Sequence, residues 1–282
     1  MAHFDKIIRR IIRECINERF NHADNGDEFY TRQEDIANEV SNYDLSGKII
    51  YCPCDDPSFS SFWKYFYKNF HNLGLKGLYA TYYSDRPMLY YYDGQNVQSR
   101  QIRSGRFQDN GEIFKLCDVV VTNPPYSDNQ SKQMFNMARQ FGKDVLMVSR
   151  KTFIGNNEMF QYIKNGELRN GYTSINKFNR PDGSVGKAPS AWYTTLPQKR
   201  GNYQSGVRYN RNYRKYDNYD AIDVSDYRQI PDDYDGMIGV PYNGDGFLRV
   251  HNPEQYEIVD KIRRPSINGK RVGGDRMIIR KK

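Results

Sequence analysis

The sequence predicts an α/β fold, a mostly parallel sheet with helices on both faces. Two observations carry that prediction. Residues 48–54 and 118–122 are short apolar runs rich in Ile and Val, bounded by polar or proline-bearing segments, as strands buried on both faces are. Longer patterns of helical character then alternate with further strand-like runs, which is the order that builds parallel sheets.

The chain has 282 residues, 38% of them hydrophobic, with a formal charge of +8 and a mean hydropathy of −0.89. That length suits one large domain, or a domain and a half. No apolar run approaches the ~18 residues of a membrane span, and the N-terminal isoleucines are interrupted by Arg9, Arg10 and Arg13, unlike a secretory leader. Cys15, Cys52, Cys54 and Cys117 and the four scattered histidines lack metal-ligand spacing, so reduced intracellular cysteines and no metal are expected.

Residues 4–20 read as an amphipathic helix, with Phe4, Ile7, Ile8, Ile11, Ile12, Cys15, Ile16 and Phe20 on one face. Thr31-x-x-Glu34 has the form of a capping box and predicts a helix over 32–43, just after Phe29 and Tyr30. Residues 48–54 form the first strong strand and lead through Asp55-Asp56-Pro57-Ser58 into an aromatic helix, 59–70, closed by Gly74. Residues 77–83 read as the second strand, and Asp93-Gly94 within 89–102 signals a hairpin. Helices over 128–141 and 156–165 flank a strand at 144–149, and two more strands surround Pro181-Asp182-Gly183.

The apolar run at 117–122 ends abruptly in Asn123-Pro124-Pro125-Tyr126. Two prolines fix φ and remove two donors, so neither a ladder nor a helix continues there. What remains is a rigid spur at the carboxyl end of a strand, where open α/β sheets bind ligands. The Asn123 amide oxygen and the Pro124 carbonyl can each accept a hydrogen from an NH2 group, while Tyr126 stacks on the ring that bears it. The bland alternative is a Pro-Pro turn closing a core strand.

Charge is uneven in the last third. Residues 198–215 hold six Lys/Arg and no acid, 216–260 hold two against eleven acids, and 261–282 hold nine against one. The first stretch interleaves Tyr203, Tyr209 and Tyr213 with Arg208, Arg211 and Arg214, a mixture that contacts phosphates and stacks on bases. The last contains the basic run Lys270, Arg271 to Lys282.

Asn-Pro-Pro-Tyr after a hydrophobic strand is similar to the catalytic motif of S-adenosylmethionine-dependent amino methyltransferases, above all those acting on adenine N6 of DNA. Further motifs narrow the likeness. Asp27-Glu28-Phe29-Tyr30-Thr31, the pattern Cys-Asp-Asp-Pro-x-x-Ser-x-Phe-x-Lys-Tyr-Phe over 54–66, and residues 191–195, 215–222, 234–241 and 252–258 all resemble the EcoRI-type adenine-specific methyltransferases. The likeness covers nearly the whole chain after residue 26.

That resemblance implies a Rossmann-like methyltransferase fold, closed by an antiparallel hairpin and followed by a small β-rich recognition part. It implies three segments: an N-terminal helix (1–25), a methyltransferase domain (26–197) and a DNA target-recognition part (198–282). The cofactor would be S-adenosylmethionine, held by Phe29, Tyr30, Thr31, Cys54, Asp55, Asp56, Pro57 and Phe107. The cofactor turn lacks its usual glycines, and Arg106 stands where related enzymes have an acid, with Asp109 as the substitute. Asn123, Pro124, Pro125 and Tyr126 would hold a flipped-out adenine. Trp192, either core or a second ring at the base, joins Arg208, Arg211, Arg214, Lys270 and Arg271 as candidate contacts to double-stranded DNA. A cytoplasmic protein of bacterial or phage origin is implied, and whether a restriction endonuclease accompanies it stays open. So do two other readings: a methyltransferase acting on RNA or protein glutamine, and a DNA-binding module that has lost catalysis.

Overall fold

The computed structural model describes residues 30–125, 129–180, 183–242 and 246–282. The N-terminal amphipathic stretch, Phe29, Tyr126 and the Pro181-Asp182 pair lie outside the described residues. The described residues divide into two compact units, the first within 30–149 and 175–192, the second within 150–174 and 193–282.

The large sheet is built from β1 (Tyr30–Thr31), β2 (Ile49–Cys52), β3 (Gly77–Thr81), β4 (Met88–Tyr92), β5 (Val97–Gln101), β6 (Val119–Thr122), β7 (Asp144–Arg150), β8 (Arg169–Asn179) and β9 (Val185–Thr194). Their order is β1-β8-β9-β7-β6-β2-β3-β4-β5. The centre, β3-β2-β6-β7, is parallel throughout. The β4–β5 hairpin extends one side in antiparallel pairing. The β8–β9 hairpin lies on the other, with Arg180 N–H bonded to the Ser184 carbonyl. This is the expected α/β sheet with its closing hairpin. The β2 and β6 runs are apolar without alternation because β2 and β6 are flanked by strands and covered on both faces, leaving Ile50, Tyr51, Val119, Val120 and Val121 fully buried.

The described residues contain five α-helices: α1 (Gln33–Val40), α2 (Ser61–Lys68), α3 (Gly111–Leu116), α4 (Gln130–Gln140) and, in the second unit, α5 (Asn157–Lys164). The α1 start departs from the capping-box prediction. Arg32 is the N-cap and offers no side-chain cap. Its guanidinium instead forks onto Asp35 at 2.8 and 3.0 Å and pairs with Glu34. Thr31, the anticipated cap, is drawn into β1, opposite Phe178 of β8.

The second unit holds a four-stranded sheet of β10 (Ile222–Asp223), β11 (Ile238–Pro241), β12 (Tyr256–Ile262) and β15 (Arg276–Lys281), in the order β10-β11-β15-β12. A small hairpin, β13 (Ser266–Ile267) with β14 (Lys270–Arg271), precedes β15. Tyr216, Ala221, Ile267 and Ile278 form a core cluster there. Gly239 is dictated by this packing, since a Cβ would lie 2.2 Å from the Tyr216 hydroxyl.

Candidate active site

A cavity of about 650 Å³ opens at the carboxyl ends of β2, β3 and β6, lined in part by Pro53, Cys54, Asp55 and Asp56, by Tyr82 and Tyr83, and by Asn123, Pro124 and Pro125. Adjacent parallel strands bring these chain-distant segments together at the edge where their connections leave the sheet. Tyr30 and Thr31 also line it. Tyr30 meets Phe59 edge-on at 5.6 Å.

The loop after β2 takes its shape without glycines. The Asp56 carboxylate accepts from the Ser58 amide at 2.9 Å and the Ser58 hydroxyl at 2.7 Å. The Asp56 carbonyl receives the amides of Phe59 and Ser60. Ser60 caps α2 by accepting from the Trp63 amide, and its hydroxyl donates to Asp55 Oδ1. The Asp55 amide is tied to the Thr81 carbonyl of β3 at 3.0 Å. Side chains thus fix the turn, and Asp56 is consumed in doing so.

Asp55 is different. Its Oδ2 is buried and has no partner among the described residues, and the same holds for Thr31 Oγ1. Buried polar atoms ordinarily find a partner, so these two orphans stand out among the residues that line the cavity. Burial raises the Asp55 carboxyl to about 7; the Ser60 hydrogen bond works against this and the neighbouring Asp56 charge adds to it. Burial likewise pushes the Cys54 thiol up to about 12, with Asp55 contributing, so Cys54 packs as a neutral group.

Phe107 opens a short 3-10 turn and presents a buried ring to the cavity, with Arg106 and Gln108 beside it. Gln108 donates to Gln133 at 2.7 Å and Gln130 at 3.2 Å, two further lining residues on α4. Gly105 is required by close approach, since a Cβ would stand 2.3 Å from the Tyr82 carbonyl oxygen.

Three sequence expectations are corrected. Asp109 does not reach this cavity: it accepts from Ser104 Oγ at 2.7 Å and lines a separate hollow with Arg103, Ser104 and Asn110. The 3-10 turn carries it past the wall that Phe107 and Gln108 occupy. Pro57 is buried in the turn and does not line the cavity. Trp192 is fully buried and meets Phe62 edge-on at 6.0 Å. It is therefore a core ring and not a surface contact for DNA.

The other basic candidates separate by environment. Arg208, Arg211, Lys270 and Arg271 are exposed. Arg214 is exposed too, but bonds to buried Asp223 at 3.1 Å. Tyr209 stacks between Tyr213 and Tyr234, with centroids 5.8 and 4.5 Å away. Sequence reading missed Phe59, Ser60, Tyr82, Gln108, Gln130 and Gln133. Tyr82 carried a usable signal, following β3 at the same sheet edge as the spur. The glutamines carried none. Among the described residues, no three His, Cys, Asp or Glu side chains gather as metal ligands would. No helix among them is long and apolar enough to cross a membrane.

The family model for the adenine-specific methyltransferase EcoRI matches residues 18–104 and 90–281. The chain belongs to that family. The Type II methyltransferase M.MpnI of Mycoplasma pneumoniae is 34% identical over 271 residues, covering 84% of this chain and 83% of the relative. The Type II methyltransferase M.EcoRI of Escherichia coli is 33% identical over 306 residues, covering 86% of this chain and 90% of the relative. Family membership implies a methyl-donor cofactor, S-adenosylmethionine, and the cavity fits one. It offers an aromatic ring for a purine, and acidic and hydroxyl side chains among its lining for a charged end.

Proposed function

We propose that this chain methylates N6 of an adenine flipped out of a specific sequence in double-stranded DNA, in the cytoplasm of a bacterial or phage-infected cell. One observation carries the reading: the Asn123-Pro124-Pro125 spur shares a single cavity with the Asp55 loop and Phe107. Methyl acceptor and donor would thereby meet without either group crossing the sheet.

When bound, S-adenosylmethionine supplies a methyl group activated by its sulfonium. The chain's own work is positional. Asn123 Oδ1 and the Pro124 carbonyl accept the two N6 hydrogens and turn the nitrogen lone pair towards the donor. Pro125 holds the spur rigid, which is where rate is gained from orientation, and Tyr126 stacks on the purine. Adenine within a duplex is out of reach, so the base is extruded at a cost of a few kcal/mol. Phe107 would hold the cofactor's adenine. Tyr30, Thr31, Cys54, Asp55 and the Asp56-shaped turn would enclose the rest. In the second unit, Arg208, Arg211, Lys270 and Arg271 contact phosphates, which positions the protein without reading sequence. The names of the Type II relatives support a DNA substrate.

The test is to express the chain in cells lacking adenine methylation and sequence their DNA with a method that detects N6-methyladenine. The modification is expected at one recurring sequence, and Asn123→Ala should nearly abolish it. Unmodified DNA from cells making soluble parent protein would overturn the assignment.

A further inference from the structure

Two loops beside the cavity carry a surface that methyl transfer itself leaves unused. β4 runs antiparallel to β3, and β5 antiparallel to β4, so β5 points the same way as β3. The segment leaving β5, 102–106, therefore emerges at the sheet edge where the cavity opens, beside the β3–β4 loop, 82–87. The Ile102 amide donates to the Pro87 carbonyl at 2.9 Å, and Tyr82 stacks on Tyr90 of β4 with centroids 6.4 Å apart. A Cβ on Gly105 would stand 2.7 Å from Tyr83 Cα, so the two loops touch backbone to backbone. Between them they hold Arg86, Arg103 and Arg106 against one acid, Asp85. All three arginines are exposed. Several exposed cations elsewhere are paired, Lys115 with Glu112, Lys215 with Asp220 and Arg228 with Asp226. These three arginines have no salt bridge among the described residues. Asp109, which shares a hollow with Arg103, is taken by Ser104. Tyr83 lines the cavity yet is 72% exposed, more than any other large hydrophobic side chain among the described residues.

Unpaired arginines around an exposed ring suit a nucleic-acid strand, since guanidinium groups take phosphates and the ring takes a base face. We propose that the 82–87 and 102–106 loops clamp the DNA strand that carries the target adenine. Arg86, Arg103 and Arg106 hold its phosphates, and Tyr83 stacks on the base beside the extruded one. This rests on duplex DNA being the substrate. An adenine leaves the stack by rotating about its own backbone, so that stretch of backbone must be held next to the cavity. Its departure also uncovers a face of the neighbouring base, which an aromatic ring at the cavity edge can cover. Arg208, Arg211, Lys270 and Arg271 belong to the second unit. The clamp gives the first unit, which contains the Asn123 spur, a hold on DNA of its own.

The experiment is binding by fluorescence anisotropy to two mixed-sequence DNAs, an intact duplex and the same duplex with a short single-stranded gap around an adenine. Arg86→Gln with Arg103→Gln should weaken both DNAs and lower the slope of log K against log salt by ~0.9 for each phosphate released. Lys76→Gln with Lys115→Gln removes the same charge from exposed residues that precede β3 and β6, at the opposite sheet edge, and should do neither. Tyr83→Ala should weaken the gapped DNA about tenfold and the intact duplex by no more than about twofold, because a ring gains only where a base face is open. Tyr83→Phe should restore the gapped DNA. All variants should keep the parent's affinity for S-adenosylhomocysteine. An arginine pair that binds as the parent does, or a lysine pair with an equal loss, overturns the inference. So does Tyr83→Ala with parental affinity for the gapped DNA, or loss of S-adenosylhomocysteine in place of DNA. A folded parent that binds neither DNA overturns the DNA substrate itself.

Discussion

Arg276 reaches Asp223 at 3.1 Å inside the second unit, with only 6% and 1% of their side chains exposed. The Asp223 carboxylate also takes the Tyr216 hydroxyl at 2.6 Å and Arg214 at 3.1 Å. Arg276 therefore belongs to the fold, although in sequence it sits within a run of basic residues that suggests a DNA-binding tail.

Removing Arg276 would strand a buried carboxylate. Breaking one side of such a pair typically costs about 3–5 kcal/mol. Arg276→Ala should thus lower the urea midpoint sharply, or yield little folded protein. A midpoint near the parent's would show that Asp223 is satisfied by Arg214 and Tyr216 alone.

Lys270 and Arg271 are the opposite case, exposed on the short strand β14. Lys270→Gln with Arg271→Gln should leave thermal stability within about 0.5 kcal/mol, as surface changes do. Binding to cognate and unrelated DNA should weaken alike. The slope of log K against log salt should fall by ~0.9 for each phosphate that is no longer neutralised. An unchanged slope and affinity would assign phosphate binding to other residues, Arg208 and Arg211 first.

Much of the first unit is legible in sequence, because a strand buried on both faces must be apolar along its length, and β2 and β6 are. The spur is legible because two prolines permit few conformations. Side-chain destinations are less so. Thr31-x-x-Glu34 has the spacing of a cap, but whether Thr31 caps a helix or pairs in a strand depends on β8, nearly 150 positions away. The basic run at the C-terminus conceals a core strand: Arg276, Met277, Ile278 and Ile279 are all buried. Counting charges cannot separate an arginine that meets solvent from one that meets Asp223. Gln108, Gln130 and Gln133 come from two helical turns that meet only in the folded chain.

Asn123→Ala should cut methyl transfer by about 10²–10³, on the order of 3 kcal/mol of barrier, as loss of a preorganised polar group at a reacting centre does. Affinity for S-adenosylhomocysteine should hold nearly constant, since Asn123 faces the acceptor amine in the proposed arrangement. The check is single-turnover kinetics on cognate DNA beside a binding titration. Near-parental turnover would remove Asn123 from catalysis, and a large loss of cofactor affinity would assign it to the cofactor instead.

The ligand-free protein should show the signature of Asp55 in its stability against pH. The carboxyl lies at about 7 when folded, against an ordinary 3.8, through burial. The folded state therefore holds this proton more tightly than the unfolded state. Its contribution to stability is full at pH values below the unfolded pKa and is lost as pH rises through the folded one. Asp55→Asn has no such dependence. The thermal midpoint of the variant should exceed the parent's at pH 8, and the difference should shrink steadily towards pH 5. Comparing the two proteins at each pH cancels the titration of every other group that the substitution does not touch. If the two ligand-free melting curves keep a constant offset across this range, Asp55 is already ionised in the free protein, and burial has not raised it.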